Sequence, residues 1–330
     1  MLYNVKTTCF EGKEGAIMKE RFIYPCDLHG HTNRSDGRDT PLEFIEHAVE
    51  RGMKIIAMTD HDMTPLTFIG VDYQERDMVS YAASWGVHLI KGIEISCETE
   101  VEDAHLVCFG CDWEDPFFEE LHQFTIQSKV KSYQELLKLL TGAGMPMNWQ
   151  EILKASGNIP EEQIQKKMIF EMIARKGYAK SWSEAKLMVK GDPRFGVKRE
   201  KPQAVEVIKN VHRLGGITIL AHPYLIEDEV DYQSSRISRS DFIEILIRAG
   251  LDGIEARYPY DKTSYGGTLT REEIYQQIIA SYQDRIRIIS GGSDYHADWR
   301  TKIANPREMG ECGLTEEEFY GNPYLKKLLE

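Results

Sequence analysis

No stretch of the 330 residues approaches the roughly eighteen consecutive apolar residues that a membrane-spanning helix needs. The opening MLYNVKTTCFEGKEGAIMKE has no apolar segment of the kind that directs secretion, so export is not expected. A second Met at position 18 makes residues 1–17 read as an extension. Cysteine is sparse: six residues, Cys9, Cys26, Cys97, Cys108, Cys111 and Cys312, are spread along the chain. Cys108 and Cys111 form a C-x-x-C, but no second pair stands at zinc-ribbon spacing. Cys108 lies in the apolar run HLVCFGC and reads as a reduced strand residue, so a cytoplasmic setting is expected. Cations are in the minority, 40 Lys and Arg against 53 Asp and Glu, for a net charge of −13. That balance withholds the positive charge with which proteins grip duplex nucleic acid. It leaves room for a local basic pocket, and for carboxylates whose charge a metal would offset. Low-complexity tracts and sequence repeats are missing too.

What is present describes a protein with a sizeable core: 42% hydrophobic, 10% aromatic and 28% charged residues. The length suits one large α/β barrel or two ordinary domains. Apolar runs predict strands at 22–28, 53–59, 87–95, 104–111, 216–221, 252–256 and 286–291. Helical patterns fall at 41–52, 74–85, 116–141, 202–214, 239–250 and 270–283. Alternation of the two predicts an α/β fold with a parallel sheet, and seven strands predict a barrel-like closure. Residues 120–200 break the rhythm with short helical patterns such as EEQIQKKMIFEMIARKG and no strand. The expected organisation is an extension over 1–21, a barrel from 22–119 and 201–330, and a helical insertion over 120–200 that covers the barrel mouth as a lid.

Groups suited to binding metal gather at the predicted strand edges. CDLHGHTNRSDG places His29, His31 and Asp36 after the first strand, and alternate strand residues share a side, so His29 and His31 can close on one ion. MTDHDM supplies Asp60, His61 and Asp62 after the second strand, and KGIEISCE supplies Glu94 near the end of the third. DAHLVCFG opens a strand with His105, ILAHPY ends one with His222, and ISGGSDYHAD gives Asp294 and His296. Barrel enzymes draw their sites from successive strand ends in this way. Six of the ten histidines lie in these motifs; His47, His88, His122 and His212 fall within elements and read as surface or core residues.

In these motifs the chain resembles the polymerase-and-histidinol-phosphatase (PHP) family of the amidohydrolase superfamily, from about residue 22 to 300. VIKNVHRLGGITILAHP and GLDGIEARYP are similar to its small-phosphoesterase branch, which acts on nucleoside bisphosphates and cyclic phosphates. The resemblance implies a distorted seven-stranded β/α barrel holding two or three divalent ions, Mn, Fe or Zn. It implies a first ion on His29, His31, Glu94 and Asp294. Glu94 would bridge to a second ion completed by His105 and His222, and Asp36, His61 and His296 would hold a third. The implied reaction is attack on phosphorus by a metal-bridging hydroxide, with Glu94 in the bridge and Asp62 or a metal-bound water as candidate proton donor to the leaving group. The branch often carries Arg-x-His at the start of an insertion helix, where this chain has Lys166 and Met168. Lys166, Lys167, Arg199 and Arg257 are the candidate phosphate contacts; Arg257, after the strand GLDGIEA, is expected to point to the mouth. The expected partner is a small phosphorylated nucleotide or sugar, as monoester or cyclic diester. Hydrolysis of a C–N bond, a histidinol-phosphate-type activity, and a barrel whose metals are purely structural are the alternatives.

Overall fold

The computed structural model describes residues 24–330, apart from the side chain at position 162. The extension expected over 1–21, and the first two residues of the strand expected at 22–28, lie outside the described residues. Eleven strands follow: β1 (Cys26–Asp27), β2 (Ile55–Met58), β3 (Phe68–Val71), β4 (Gln74–Asp77), β5 (His88–Ser96), β6 (His105–Phe109), β7 (Ile217–Leu220), β8 (Glu229–Tyr232), β9 (Ser235–Ser238), β10 (Gly253–Arg257) and β11 (Ile288–Gly291). Seven of them form one sheet in the order β1-β2-β5-β6-β7-β10-β11. The other four make two hairpins, β3–β4 and β8–β9, each leading into a helix.

The sheet is mixed, which corrects the expectation of a parallel one. β6 runs antiparallel to both β5 and β7, whereas the remaining pairs are parallel. The eight residues between β5 and β6 are too few for the crossover that a parallel neighbour requires, of about a dozen residues, so the chain turns straight back. The helix expected over 74–85 begins only at Met78, because Gln74–Asp77 pairs with Phe68–Val71 through a turn in which Asp72 and Tyr73 both have positive φ.

Alternation along the strands sorts the core. Ile55, Ala57, Ile90, Val107, Phe109, Ile219 and Ile288 point into the barrel, and Leu314, Phe319 and Leu325 of the C-terminal segment close its lower end. Ile93, Ile95, Leu106, Cys108 and Ile254 point outward beneath the helices. Higher along the same inward rows the side chains change to Glu94, His105 and Glu255. The seam between β11 and β1 has no regular ladder. It closes through Leu28 N–H to Gly291 O (3.3 Å), Tyr295 N–H to His29 O (3.3 Å) and His31 N–H to Tyr295 O (2.7 Å).

Between β6 and β7 stand four helices, Pro116–Gly142, Trp149–Ala155, Lys166–Arg175 and Trp182–Gly191, before the helix Ala204–Arg213 returns to the sheet. The first begins at Pro116 behind the N-cap Asp115 and runs 27 residues. Its first half packs Phe118 and Leu121 on the barrel; its second packs Leu136, Leu137 and Leu140 into a separate cluster with Ile152, Ile169, Phe170 and Ile173.

Candidate active site

Glu94 is the hub of the site. It is 1% exposed, on the inward face of β5, and its two oxygens meet five histidines. Oε2 lies 3.2 Å from His29 Nε2, 3.1 Å from His31 Nε2 and 3.1 Å from His61 Nδ1. Oε1 lies 3.0 Å from both His105 Nδ1 and His222 Nε2. Asp294 Oδ1 is 3.1 Å from His31 Nε2 and 3.3 Å from His296 Nδ1, and Asp36 Oδ1 is 3.0 Å from His296 Nε2. All nine side chains proposed as ligands thus converge on one rim of the barrel.

Local structure explains how such different elements reach that rim. His105 starts its strand and Glu94 lies within β5, whereas the others follow theirs, and the reversal of β6 brings a strand start to the rim, opposite Ser96. The Thr32–Gly37 loop is pinned on Asp60, whose carboxylate accepts from Thr32 N–H (2.8 Å), Thr32 Oγ1 (2.8 Å) and Ser35 Oγ (2.7 Å). Gly37 is required there, since a Cβ would sit 2.4 Å from the His31 carbonyl oxygen. Asp62, His222 and Asp294 all have positive φ, a strained backbone for residues with a Cβ, and one that recurs at functional sites.

The donors are arranged for cations rather than for one another. Three groups of donor atoms each fall within 4.8 Å: His31, Asp36, His61 and His296; His29, His31 and Asp294; His61, Glu94 and His105. His29 Nε2, both His31 nitrogens, His61 Nδ1 and His222 Nδ1 are buried without a hydrogen-bond partner, although several stand close to carboxylate oxygens. Lone pairs of nitrogen and oxygen aimed at common points are what divalent ions require, so the donor set fits several metal ions. Burial alone would raise the Glu94 carboxyl, but His61, His29 and His105 hold it well below its usual range. Burial opposes protonation of His31, yet Asp294 and Glu94 lift it to about 10. Cations at this place would satisfy the same carboxylates and take the nitrogen lone pairs in place of protons.

Surrounding groups fix the ligands. Glu255, 3% exposed, holds His29 Nδ1 with Oε1 (3.1 Å) and accepts the His222 backbone N–H with Oε2 (2.8 Å). Asp294 Oδ2 accepts from Tyr258 OH (2.7 Å) and Arg307 Nη1 (2.5 Å), which leaves Oδ1 facing the histidines. Asp27 accepts from Ser293 N–H (2.9 Å), Ser293 Oγ (2.5 Å) and Gly310 N–H (2.8 Å), tying β1 to the Asp294 loop. Glu255 had a signal, a carboxylate inside the apolar strand GLDGIEA. Arg307 had none, being a loop arginine 13 residues after Asp294. Replacing Glu255 by Gln puts an amide N–H against one of its two partners. The expected result, read by metal titration, is about 10- to 100-fold weaker metal binding with the fold retained.

The proposed phosphate contacts are dispersed. A cavity of about 930 Å³ covers the ligands and is lined by Arg38, Lys186, Lys262, Lys302 and Arg307. A second, of about 750 Å³, meets it at Asp36, His61 and His105 and is lined by Arg34, Asp62, His122 and Arg199. Asp62 accepts from Ser96 N–H (2.9 Å) and pairs with Arg199 (3.2 Å). Lys166 is half-buried outside both, its ammonium pKa lowered by burial and by Lys190. Lys167 pairs with Glu171 (3.7 Å). Arg257 does not reach the mouth: a register shift between Glu255 and Arg257 turns it aside, and its guanidinium is held by Glu318 (2.7 and 2.9 Å) and Tyr275 OH (3.1 Å).

A barrel rim of imidazoles and carboxylates grouped for several ions, beneath a cation-lined cavity, defines a metal-dependent phosphoesterase. Residues 27–217 match the PHP domain, and the chain belongs to that family. It is 30% identical over 199 residues to a 5′-3′ exoribonuclease of Haemophilus influenzae, covering 60% of this chain and 68% of that one. It is 24% identical over 295 residues to a 3′,5′-nucleoside bisphosphate phosphatase of Chromobacterium violaceum, covering 88% and 91%. It is also 24% identical over 275 residues to a phosphoribosyl 1,2-cyclic phosphate 1,2-diphosphodiesterase of Eggerthella lenta, covering 82% and 93%. Among solved structures, a candidate metal-dependent phosphoesterase from Bifidobacterium adolescentis shares the fold with a TM-score of 0.58 at 22% identity, covering 90% of this chain and 94% of that one. Among the described residues no helix is long and apolar enough to cross a membrane.

Proposed function

We propose that this chain hydrolyses a small phosphate ester, a nucleotide or sugar phosphate, with two or three divalent ions of Mn, Fe or Zn. The observation that carries the reading is Glu94, one buried carboxylate shared by five histidines below a cavity lined with cations. His29, His31, Glu94 and Asp294 would hold one ion, Glu94, His105 and His222 a second, and Asp36, His61 and His296 a third. Bound ions of this kind lower the pKa of water and offset the charge on phosphate oxygens.

The chain's own residues supply the rest. Arg307 is divided between Asp294 (2.5 Å) and Asp298 (2.8 Å) and lines the cavity, so it both orients a ligand and offers positive charge to a phosphate beside it. Arg38, Lys186, Lys262 and Lys302 extend that charge, a lining that suits a phosphate better than the carbonyl of an amide. The insertion of 120–200 serves as the lid, contributing Trp182 and Lys186 to one cavity and Tyr133 and Arg199 to the other. Asp62 lines the second cavity, which supports a role for it toward a leaving group that departs on that side. The relatives that act on nucleoside bisphosphates and cyclic phosphates match most of this chain and support the same substrate class.

A ³¹P NMR time course with the Mn²⁺-loaded protein tests the reading, offering a nucleoside bisphosphate, a phosphomonoester and a cyclic phosphodiester together. Loss of monoester signals, with or without the diester, supports it. Unchanged signals with metal confirmed bound would sink it and turn attention to C–N substrates. In the same assay Arg307→Ala is expected to raise KM about tenfold or more, in line with the loss of a charge-assisted contact. Arg307→Lys should recover little, because a point charge cannot span Asp294 and Asp298 as a guanidinium does.

A further inference from the structure

The cavity above the ligands is lined mainly by polar and charged side chains, with Trp182, Leu225, Tyr258 and Ile303 among them. Among the described residues eleven large hydrophobic side chains are exposed, and two of them, Trp182 (40%) and Ile303 (52%), line this cavity. They come from separate parts of the chain: Trp182 from the first turn of the insertion helix Trp182–Gly191, Ile303 from the loop between Asp298 and Arg307. Trp182 stands three and seven residues before the buried Ala185 and Val189, at the end of that helix's buried stripe, and yet 40% of the indole is exposed. Trp182 and Lys186 are one turn apart and therefore share a face, and both line the cavity. On the loop, Lys302 and Ile303 repeat the pairing of a cation with an apolar side chain. Leu187, 72% exposed, lies elsewhere on the helix and lines none of the cavities described above. The Lys167 ammonium stands over the indole, 5.1 Å from its centroid, a cation–π contact that fixes the ring's attitude.

We infer that Trp182 and Ile303 form a nucleobase clamp at the mouth, and that Lys186 and Lys302 flank it to receive charge on the attached sugar phosphate. A flat aromatic ligand is what an exposed indole and a branched aliphatic side chain lining one cavity accommodate, since every base offers a π-face for stacking. A sugar phosphate without a base would leave both side chains in water, and the cations alone would not discriminate. The clamp rests on the phosphoesterase reading and narrows it from any small phosphate ester to one bearing a base. It also gives the insertion a defined duty, because the indole belongs to the insertion and the isoleucine to the barrel.

The test compares adenosine 3′,5′-bisphosphate with the same sugar bisphosphate carrying hydrogen in place of the base. Dissociation constants come from calorimetry on the Mn²⁺-loaded protein, and phosphate release is followed separately. Wild type is expected to bind the base-bearing compound more tightly. Trp182→Ala should weaken that compound about tenfold while changing the abasic one less than twofold, in keeping with the loss of one stacking partner. Trp182→Phe, which keeps a stacking face, should retain most of the preference, and Ile303→Ala should show a smaller loss of the same kind. Equal binding of the two compounds by wild type, or an equal loss on both in Trp182→Ala, overturns the clamp. Phosphate release decides the other question: a base preference without turnover would keep the clamp and sink hydrolysis of this ester, whereas turnover of both compounds at equal affinity would do the reverse.

Discussion

Glu94→Gln is expected to leave a folded barrel with kcat/KM lower by about 10³-fold or more, roughly 4 kcal/mol of lost transition-state stabilisation. The substitution keeps volume and shape, so the packing of β5 is not at issue. What changes is charge and donor character. Three ring nitrogens stand 3.1–3.2 Å from Oε2 and two stand 3.0 Å from Oε1. An amide can present oxygen to only one of these sets, and its N–H₂ must then face nitrogen atoms placed to bind cations. Two ions that share this carboxylate would lose it together. Elemental analysis should show substoichiometric metal beside an unchanged far-ultraviolet circular dichroism spectrum. Activity within tenfold of wild type, at full metal content, would remove Glu94 from the centre of the site.

The largest expected effect on stability belongs to Gly292→Ala, at the seam where β11 meets the segment after β1. A Cβ there would lie 2.3 Å from His29 Cβ and 2.7 Å from His29 N. The obstructing nitrogen is backbone: it donates to Asp27, the His29 carbonyl accepts from Tyr295 N–H, and this segment cannot rotate away. Overpacking of this kind costs about 3 kcal/mol when the neighbour cannot yield. In a chain of this size that corresponds to a fall in Tm of about 4 °C. The same displacement moves His29, so metal affinity should drop with Tm in differential scanning calorimetry with and without Mn²⁺. A Tm within 2 °C of wild type would show that the seam has slack the geometry does not reveal.

Much of this arrangement could be read from the sequence because strand periodicity and ligand chemistry reinforce each other. His29-x-His31 and Asp294-x-His296 each follow an apolar run, and a strand end is where a barrel places its site. His105 broke that pattern by opening a strand, and the break was itself information: the short link after β5 forces β6 to run backward. The hairpins at β3–β4 and β8–β9 were harder to see, since QERD has no strand-like alternation of apolar and polar residues and its pairing depends on a turn with two positive-φ residues. The basic lining escaped sequence reasoning for a different reason. Arg257 ends a strand, as a mouth residue can, but one bulge turns it toward Glu318. Lys262 lies on a single 3-10 turn and Lys302 and Arg307 on irregular segments, none with a period to announce it, and only the folded loops bring them over the ligands.

The backward strand has a further consequence. Because β6 runs away from the rim, the chain leaves it at the closed end of the barrel and must climb back before it can cover the mouth. It does so on the 27-residue helix Pro116–Gly142, about 40 Å long, rooted in the barrel core by Phe118 and Leu121 and in the insertion core by Leu136, Leu137 and Leu140. Inserting or deleting one residue between those anchors would swing everything beyond it by about 100° and shift it by about 1.5 Å. Removing four would turn it by only about 40° while lowering it by about 6 Å. Helix length is thus a ruler for the height of the roof, and descendants of this chain could retune the size of what they admit by gaining or losing whole turns while every ligand on the rim stays where it is.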